Sequence, residues 1–287
     1  MLIKLSNNNL SFCADTFGAR ILKLATDKGL NILQFCTSSP KSITPDETGG
    51  FPLFPIANRV KGNSYLIDDE RIYLPKTSFD KKEYLHGCGW NNEWQVVTQN
   101  LNSVHLALNY EHKISGYKLK ADLIYELIDN TFMCKLSITC LNKAKRLYGL
   151  GFHPYFEIDR DTKLKFLATG FFAEDENNFL CDLSENIPDV FNYSNLKSLA
   201  PNYVNHCYKG VSGLILHRGN GLKINMHSNL PYLMMYHVPG KNFIALEPQS
   251  HEVDGCNKLG RGGLKFLDEK INKIEGMMII SVDKKSS

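Results

Sequence analysis

The sequence predicts an all-β protein, a sandwich or a barrel, and three observations carry that expectation. More than a dozen short segments alternate apolar and polar residues at spacings of about 8–12 residues. Asn-, Asp- and Gly-containing turns separate them. Hardly any ten-residue stretch shows the 3.6-residue period of an amphipathic helix, and strands without interleaved helices exclude a parallel α/β sheet.

The segments run in order. MLIKL, LSFCAD and ARILKLAT read as an antiparallel meander, and the Asp27-Lys28-Gly29 turn leads into LNILQF as a further strand. Longer strands follow in WQVVTQ, SVHLALNYEH, YKLKADLIYELID and TFMCKLSITCLN. In MCKLSITC, residues 134, 136, 138 and 140 read Cys, Leu, Ile and Cys on one face, which makes both thiols core residues. The 180–199 stretch is mixed and reads as loop with a turn of helix. Late strands are GLILHR, LKINMHS, YLMMYHV, NFIALEP and MMIISVD. No internal repeat or Gly/Ser linker marks a boundary, so residues 1–287 are expected to form a single domain.

Bulk properties narrow the function. Thirty-three basic and 30 acidic residues leave a net charge of +3, too small and too scattered for a nucleic-acid surface. The tail Lys284-Lys285-Ser286-Ser287 reads as a solvated end. No run reaches the roughly 18 apolar residues of a membrane span, and the start MLIKLSNNNLSF lacks the apolar stretch of a secretory signal. A cytoplasmic protein with neither nucleic-acid nor membrane partners is expected. Eight cysteines without a C-x-x-C pair do not suggest a disulfide framework, and neither His86/Cys88 nor His206/Cys207 has zinc-site spacing.

Three segments, 37–62, 75–94 and 248–264, break the strand pattern with Pro, Gly, Asn and charged residues, where a β scaffold usually carries binding loops. Beside them lie the candidates for chemistry. His153 follows a strand and precedes Pro154, which keeps the backbone extended; taken alone it is a proton donor or a packed ring. His86 stands before Gly87, with Gly89 two residues further on, which permits tight turns or close approach of a ligand. Glu247 ends the apolar run NFIAL before a proline expected to stop the ladder, so it lies at a solvent edge or in a pocket at the rim of a sheet. A buried carboxylate with a raised pKa suits a general base. Asn58-Arg59 sits in an irregular segment, where a guanidinium can fix a hydroxyl or carboxylate. With aromatic surfaces expected at Trp90, Trp94, Tyr155 and Phe156, these are the parts needed to bind a polyhydroxylated ring and move protons on it.

Across most of the chain, FGARILKLATDKGLNIL, PIANRVKGNSY, LHG, HPYF, NHCYKGVSG and LEPQSHEVDGCN occur in an order that resembles the aldose 1-epimerase (galactose mutarotase) family. The resemblance implies a large antiparallel β-sandwich, the galactose mutarotase-like supersandwich, with an open cleft for a free sugar and neither metal nor nucleotide cofactor. It implies an isomerase in which Glu247 takes the anomeric hydroxyl proton while His153 protonates the ring oxygen, with His86 assisting. Arg59 would bind sugar hydroxyls, with Asn58, Gln249 and Tyr155 in the surrounding shell. Its partner is a small-molecule sugar, and the protein is a monomer or a homodimer.

Two departures stand out. Asn205 occupies a position where many members carry an aspartate that binds sugar hydroxyls, which leaves substrate preference open, and HPYF differs from the HxYFN form of the galactose enzymes. Two alternatives remain. One is a hexose-6-phosphate 1-epimerase, for which Arg20, Lys61 and Arg261 are available cations. The other is a non-catalytic carbohydrate-binding protein on the same fold.

Overall fold

The computed structural model describes residues 1–36, 44–76 and 82–283. Residues 37–43 and 77–81 of two irregular segments, and the basic tail 284–287, lie outside the described residues. Two large antiparallel sheets dominate. One has nine strands in the order Lys197–Ser198, Lys163–Phe166, Gly213–His217, Lys223–Ser228, Lys273–Val282, Thr131–Cys140, Tyr117–Ile128, Ser103–His112 and Gln95–Gln99. The other runs Gly170–Phe172, Val204–Lys209, Tyr232–His237, Phe243–Gln249, Gly151–Phe152 and Pro52–Leu53, with Tyr155–Glu157 also pairing on Phe243–Gln249. The N-terminal meander of Leu2–Ser6, Leu10–Asp15 and Ile21–Thr26 forms a separate three-stranded sheet.

Period-2 alternation builds the core. Phe132, Cys134, Leu136, Ile138 and Cys140 are buried along one strand face, as their spacing predicts. Leu233, Met235, Ile244 and Leu246 of the smaller large sheet join Leu136, Ile138, Leu216, Ile224 and Ile280 of the nine-stranded sheet in one continuous apolar cluster. Each such side chain contributes about 1.5–3 kcal/mol when fully removed from water, so this seam holds the sandwich closed.

Two local expectations fail. LNILQF forms isolated bridges at Asn31 and Leu33 rather than a strand. Ile32 and Leu33 both donate to the Leu24 carbonyl while Gln34 donates to Tyr155, so no continuous ladder can develop. The strand carrying Glu247 does not stop at Pro248 but continues to Gln249, which pairs with Tyr232. The 180–199 stretch is irregular as expected, with a 3-10 turn at Asp189–Phe191 and a two-residue strand at Lys197–Ser198.

The strand Phe243–Gln249 is buried along its whole length because both of its faces are covered. Ile244 and Leu246 face the main core, while Phe243 and Ala245 join a second cluster with Phe51, Leu53, Ala57, Trp90 and Tyr155. The candidate site is built against this second face.

Candidate active site

The centre of the site is a cross-strand pair. Gly151 pairs with Gln249 and Tyr155 with Ala245, so the same register sets His153 opposite Glu247. Leu246 N–H donates to Pro154 O and Ser250 N–H to Leu150 O, which makes 153/247 a position without ladder bonds of its own, where opposed side chains come closest. Pro154 and Pro248 lack N–H groups, so the ladder is thinnest beside this pair. His153 Nε2 lies 3.2 Å from Glu247 Oε1. Gln249 Nε2 donates to the other carboxyl oxygen at 3.0 Å.

Burial sets the proton. The His153 ring is stacked on Tyr155, with centroids 4.5 Å apart, and packs against Phe51 at 4.8 Å. In that apolar slot His153 is 5% exposed and Glu247 is 2% exposed. Desolvation raises the Glu247 carboxyl to about 8, against the smaller opposing effects of Gln249 and Arg59. Desolvation lowers the His153 imidazole to about 3. Both shifts favour the neutral forms, carboxylic acid and imidazole, so burial disfavours an ion pair across the 3.2 Å contact. His153 Nδ1 is buried without a hydrogen-bond partner among the described residues.

His86 approaches from a different loop. The two-residue strand Arg59–Val60 pairs with Tyr84–Leu85 and brings Arg59 opposite Leu85, one residue before His86. Asn58 and His86 both adopt left-handed backbone, at φ 62° and 60°, and hold each other reciprocally. The His86 N–H donates to Asn58 O at 3.1 Å, and the Asn58 N–H donates to His86 Nδ1 at 3.2 Å. Because Nδ1 accepts, the neutral ring carries its proton on Nε2. Gly87 is required here. It has φ 73°, and a Cβ would fall 1.9 Å from the Phe54 carbonyl oxygen. The His86 and His153 rings meet edge to face at 5.1 Å. Burial, then His153 and Arg59, keep His86 well below the ordinary histidine pKa, so it does not compete for the proton of the pair.

Around these groups lies a cleft of about 210 Å³. Of the residues expected from sequence, His153, Glu247, His86, Arg59, Asn58, Asn205 and Tyr155 all line it, as does Trp90. Gln249 does not; it is 1% exposed and holds Glu247 from behind. Two aromatic expectations are corrected. Phe156 points to the opposite sheet face from Tyr155 and is buried in the main core. Trp94 also belongs to that core, edge-on to Phe54 at 5.8 Å, with its indole N–H donated to Gly89 O.

Sequence reasoning missed Asp46, Phe51, Tyr203 and Tyr236, which also line the cleft. Sheet register brings Tyr236 there, since Asn205, Tyr236 and Ala245 form one cross-strand row. Trp90 is 3% exposed, and its indole N–H is buried without a hydrogen-bond partner among the described residues.

The donor atoms of His86, His153 and Glu247 lie within 4.8 Å of one another, a spacing that a metal ion can bridge. The chemistry of the set argues against it. With Nδ1 of His86 taken by the Asn58 N–H, metallation of Nε2 would force a proton onto Nδ1 and set two N–H groups against each other.

Comparison with known proteins bears on the family and the fold. The family model described as aldose 1-epimerase matches residues 1–264. The Escherichia coli K12 protein YphB, itself uncharacterized, is 30% identical over 266 residues, 86% of this chain and 91% of its own length. A crystal structure of an Escherichia coli K12 protein superposes with a TM-score of 0.90 at 26% identity, covering 99% of both chains. The fold is shared with galactose 1-epimerase from Lactobacillus acidophilus, at TM-score 0.82 and 19% identity over 98% of this chain and 94% of that one. On the match over residues 1–264 and the YphB relationship, the chain belongs to the aldose 1-epimerase family.

Proposed function

We propose that this protein interconverts the α and β anomers of a free hexose by acid–base ring opening and reclosure. The observation that carries the reading is the buried His153–Glu247 contact, an imidazole and a carboxyl 3.2 Å apart at the wall of a polar cleft. Transfer of the carboxyl proton across the 3.2 Å contact converts carboxylic acid and imidazole into carboxylate and imidazolium, with no change in net charge. A matched base and acid then face the sugar.

In the forward step Glu247 removes the proton of the anomeric hydroxyl, and the O1–H electron pair becomes the second bond of the aldehyde. The C1–O5 bond breaks toward the ring oxygen, which takes the proton of His153. Carboxylic acid and imidazole remain, the same charge state that burial favours in the free protein. Rotation about the C1–C2 bond and reclosure on the other face return both protons by the reverse path. His86, through Nε2–H, is suited to donate to a sugar oxygen beside His153. Arg59 supplies further donors to hydroxyls. No step transfers electrons between molecules, so the reaction asks for no cofactor.

The charge around the cleft supports a free sugar over a phosphorylated one. Asp46 and Glu247 line it, and Arg59 is the one cationic side chain among the described lining residues. Arg20 is buried with its Nε donated to Trp90 O, and Arg261 donates to Cys256 O. Neither these nor Lys61 lines the cleft, so a dianionic phosphate would meet Asp46 with Arg59 alone in place of the usual cluster of cations.

The test is anomer exchange by polarimetry or NMR on fresh α-glucose, α-galactose and glucose 6-phosphate. Acceleration on a free hexose, lost in Glu247→Gln, is the expected result. Acceleration on the phosphate alone would replace the proposed substrate, and sugar binding without acceleration would leave a carbohydrate-binding protein.

A further inference from the structure

The cleft face of the seven-stranded sheet carries an acidic group that the ring-opening chemistry does not use. The strand Gly170–Phe172 pairs with Val204–Lys209, with Phe172 opposite Cys207. Continued two residues further, this register sets Glu174 across from Asn205. The backbone of Glu174 is fixed there, since its N–H donates to His206 Nδ1 at 3.1 Å and it bridges to Leu180. Its side chain accepts a hydrogen bond on Oε1 from Asn205 Nδ2. Asn205 is 8% exposed and lines the cleft, whereas Glu174 is half-buried behind it.

An amide beside a carboxylate has only one useful orientation. A carboxylate accepts and does not donate, so the NH₂ group must face Glu174 and the carbonyl oxygen must face away from it. Without Glu174 the side chain of Asn205 keeps Tyr203 as a hydrogen-bonding neighbour, and a hydroxyl, which both donates and accepts, does not fix which end of the amide faces a ligand. We infer that Glu174 is a positioning residue that turns the Asn205 amide into a fixed hydrogen-bond acceptor for a sugar hydroxyl.

The arrangement reproduces what an aspartate at 205 would offer, an acceptor oxygen near a negative charge, but splits the two properties between two residues. Arg59 and Tyr203 are the electrostatic neighbours of that charge, which ties the pair to the rest of the cleft. The inference rests on the sugar site proposed above, though not on the ring-opening step.

A swap of the two chemistries tests it. Measured by anomer exchange and, independently, by calorimetric titration with galactose and glucose, Glu174→Leu should raise KM and Kd about tenfold, because no acceptor is left at 174 to orient the Asn205 amide, with kcat moving far less. Asn205→Asp alone should weaken binding at least as much, because it opposes two carboxylates across a hydrogen-bond contact. The double variant E174Q/N205D restores a donor facing an acceptor and should return KM and Kd to within about threefold of wild type, since the pairing is again complete. A merely structural role would lower Tm and kcat together in the single variants rather than raise KM and Kd alone. Normal turnover with an unaffected Glu174→Leu, or a double variant no better than Asn205→Asp, overturns the inference and leaves the epimerase reading standing. Sugar binding that follows the swap pattern without any turnover supports the inference and sinks that reading. Neither binding nor turnover on these sugars overturns both.

Discussion

His153 and His251 are both buried histidines whose imidazoles burial drives down, to about 3 and about 4. They differ in what their nitrogens meet. His251 is 0% exposed, with Nε2 accepting from the Ala57 N–H at 3.1 Å and Nδ1 2.9 Å from Ser250 Oγ. Neither of those neighbours titrates near neutrality, so the ring is a strut between the turn after Gln249 and the segment carrying Asn58 and Arg59. His153 instead contacts a carboxyl raised to about 8, at the wall of a cleft. A depressed histidine pKa thus marks burial; a titratable partner open to a ligand marks chemistry.

Four experiments break or sharpen this contrast. The largest effect is expected from Glu247→Gln or His153→Gln, each costing about 10²–10⁴-fold in kcat for anomer exchange. His251→Leu should leave kcat/KM within about an order of magnitude while costing roughly 1–3 kcal/mol of stability, because the Ala57 N–H is left buried without its acceptor. If a folded His251→Leu protein lost as much rate as Glu247→Gln, the distinction between strut and acid would collapse.

Second in size is the pH dependence of kcat/KM. The active pair carries one proton, which it loses as pH rises through about 8 and supplements with a second only near 3, so the rate should be level around neutrality and fall above about 8. A rate that halves near pH 6.5, the ordinary histidine value, would show that burial does not set the proton of the pair.

Stability gives a smaller and opposite signal. Folding raises the Glu247 pKa, so its contribution is fully present below the unfolded value near 4.5 and is lost as pH rises through about 8. Glu247→Gln removes that loss, and its Tm relative to wild type should climb between pH 5 and 8. Folding lowers the His251 pKa, so its contribution is present above about 6.5 and fades as pH falls toward about 4. The smallest effect is that of a chelator: with His86 Nδ1 already engaged, prolonged dialysis against EDTA should leave the rate unchanged. Loss of activity restored by added zinc would overturn the proposed chemistry.

Much of this was legible in the sequence because strands announce their faces. Alternation in MCKLSITC revealed the core, and motif order singled out His153, Glu247, His86 and Arg59. What failed were statements about pairing. Pro248 was expected to stop its strand, yet antiparallel strands point alternate N–H groups to opposite neighbours, so one missing donor does not end the ladder toward Tyr232–His237. Tyr155 and Phe156 were expected on the same wall, although period 2 separates them. Glu174 escaped notice because its partner Asn205 lies 31 residues away and only sheet register joins them.

The pair of prolines beside His153 and Glu247 has a consequence for motion. Each proline takes one donor out of the ladder, so Leu246 N–H to Pro154 O is not matched by a return bond from Pro154. A strand pair with fewer ladder bonds opens locally at lower cost than a complete one, so this is where the sheet yields first, above a core that stays closed.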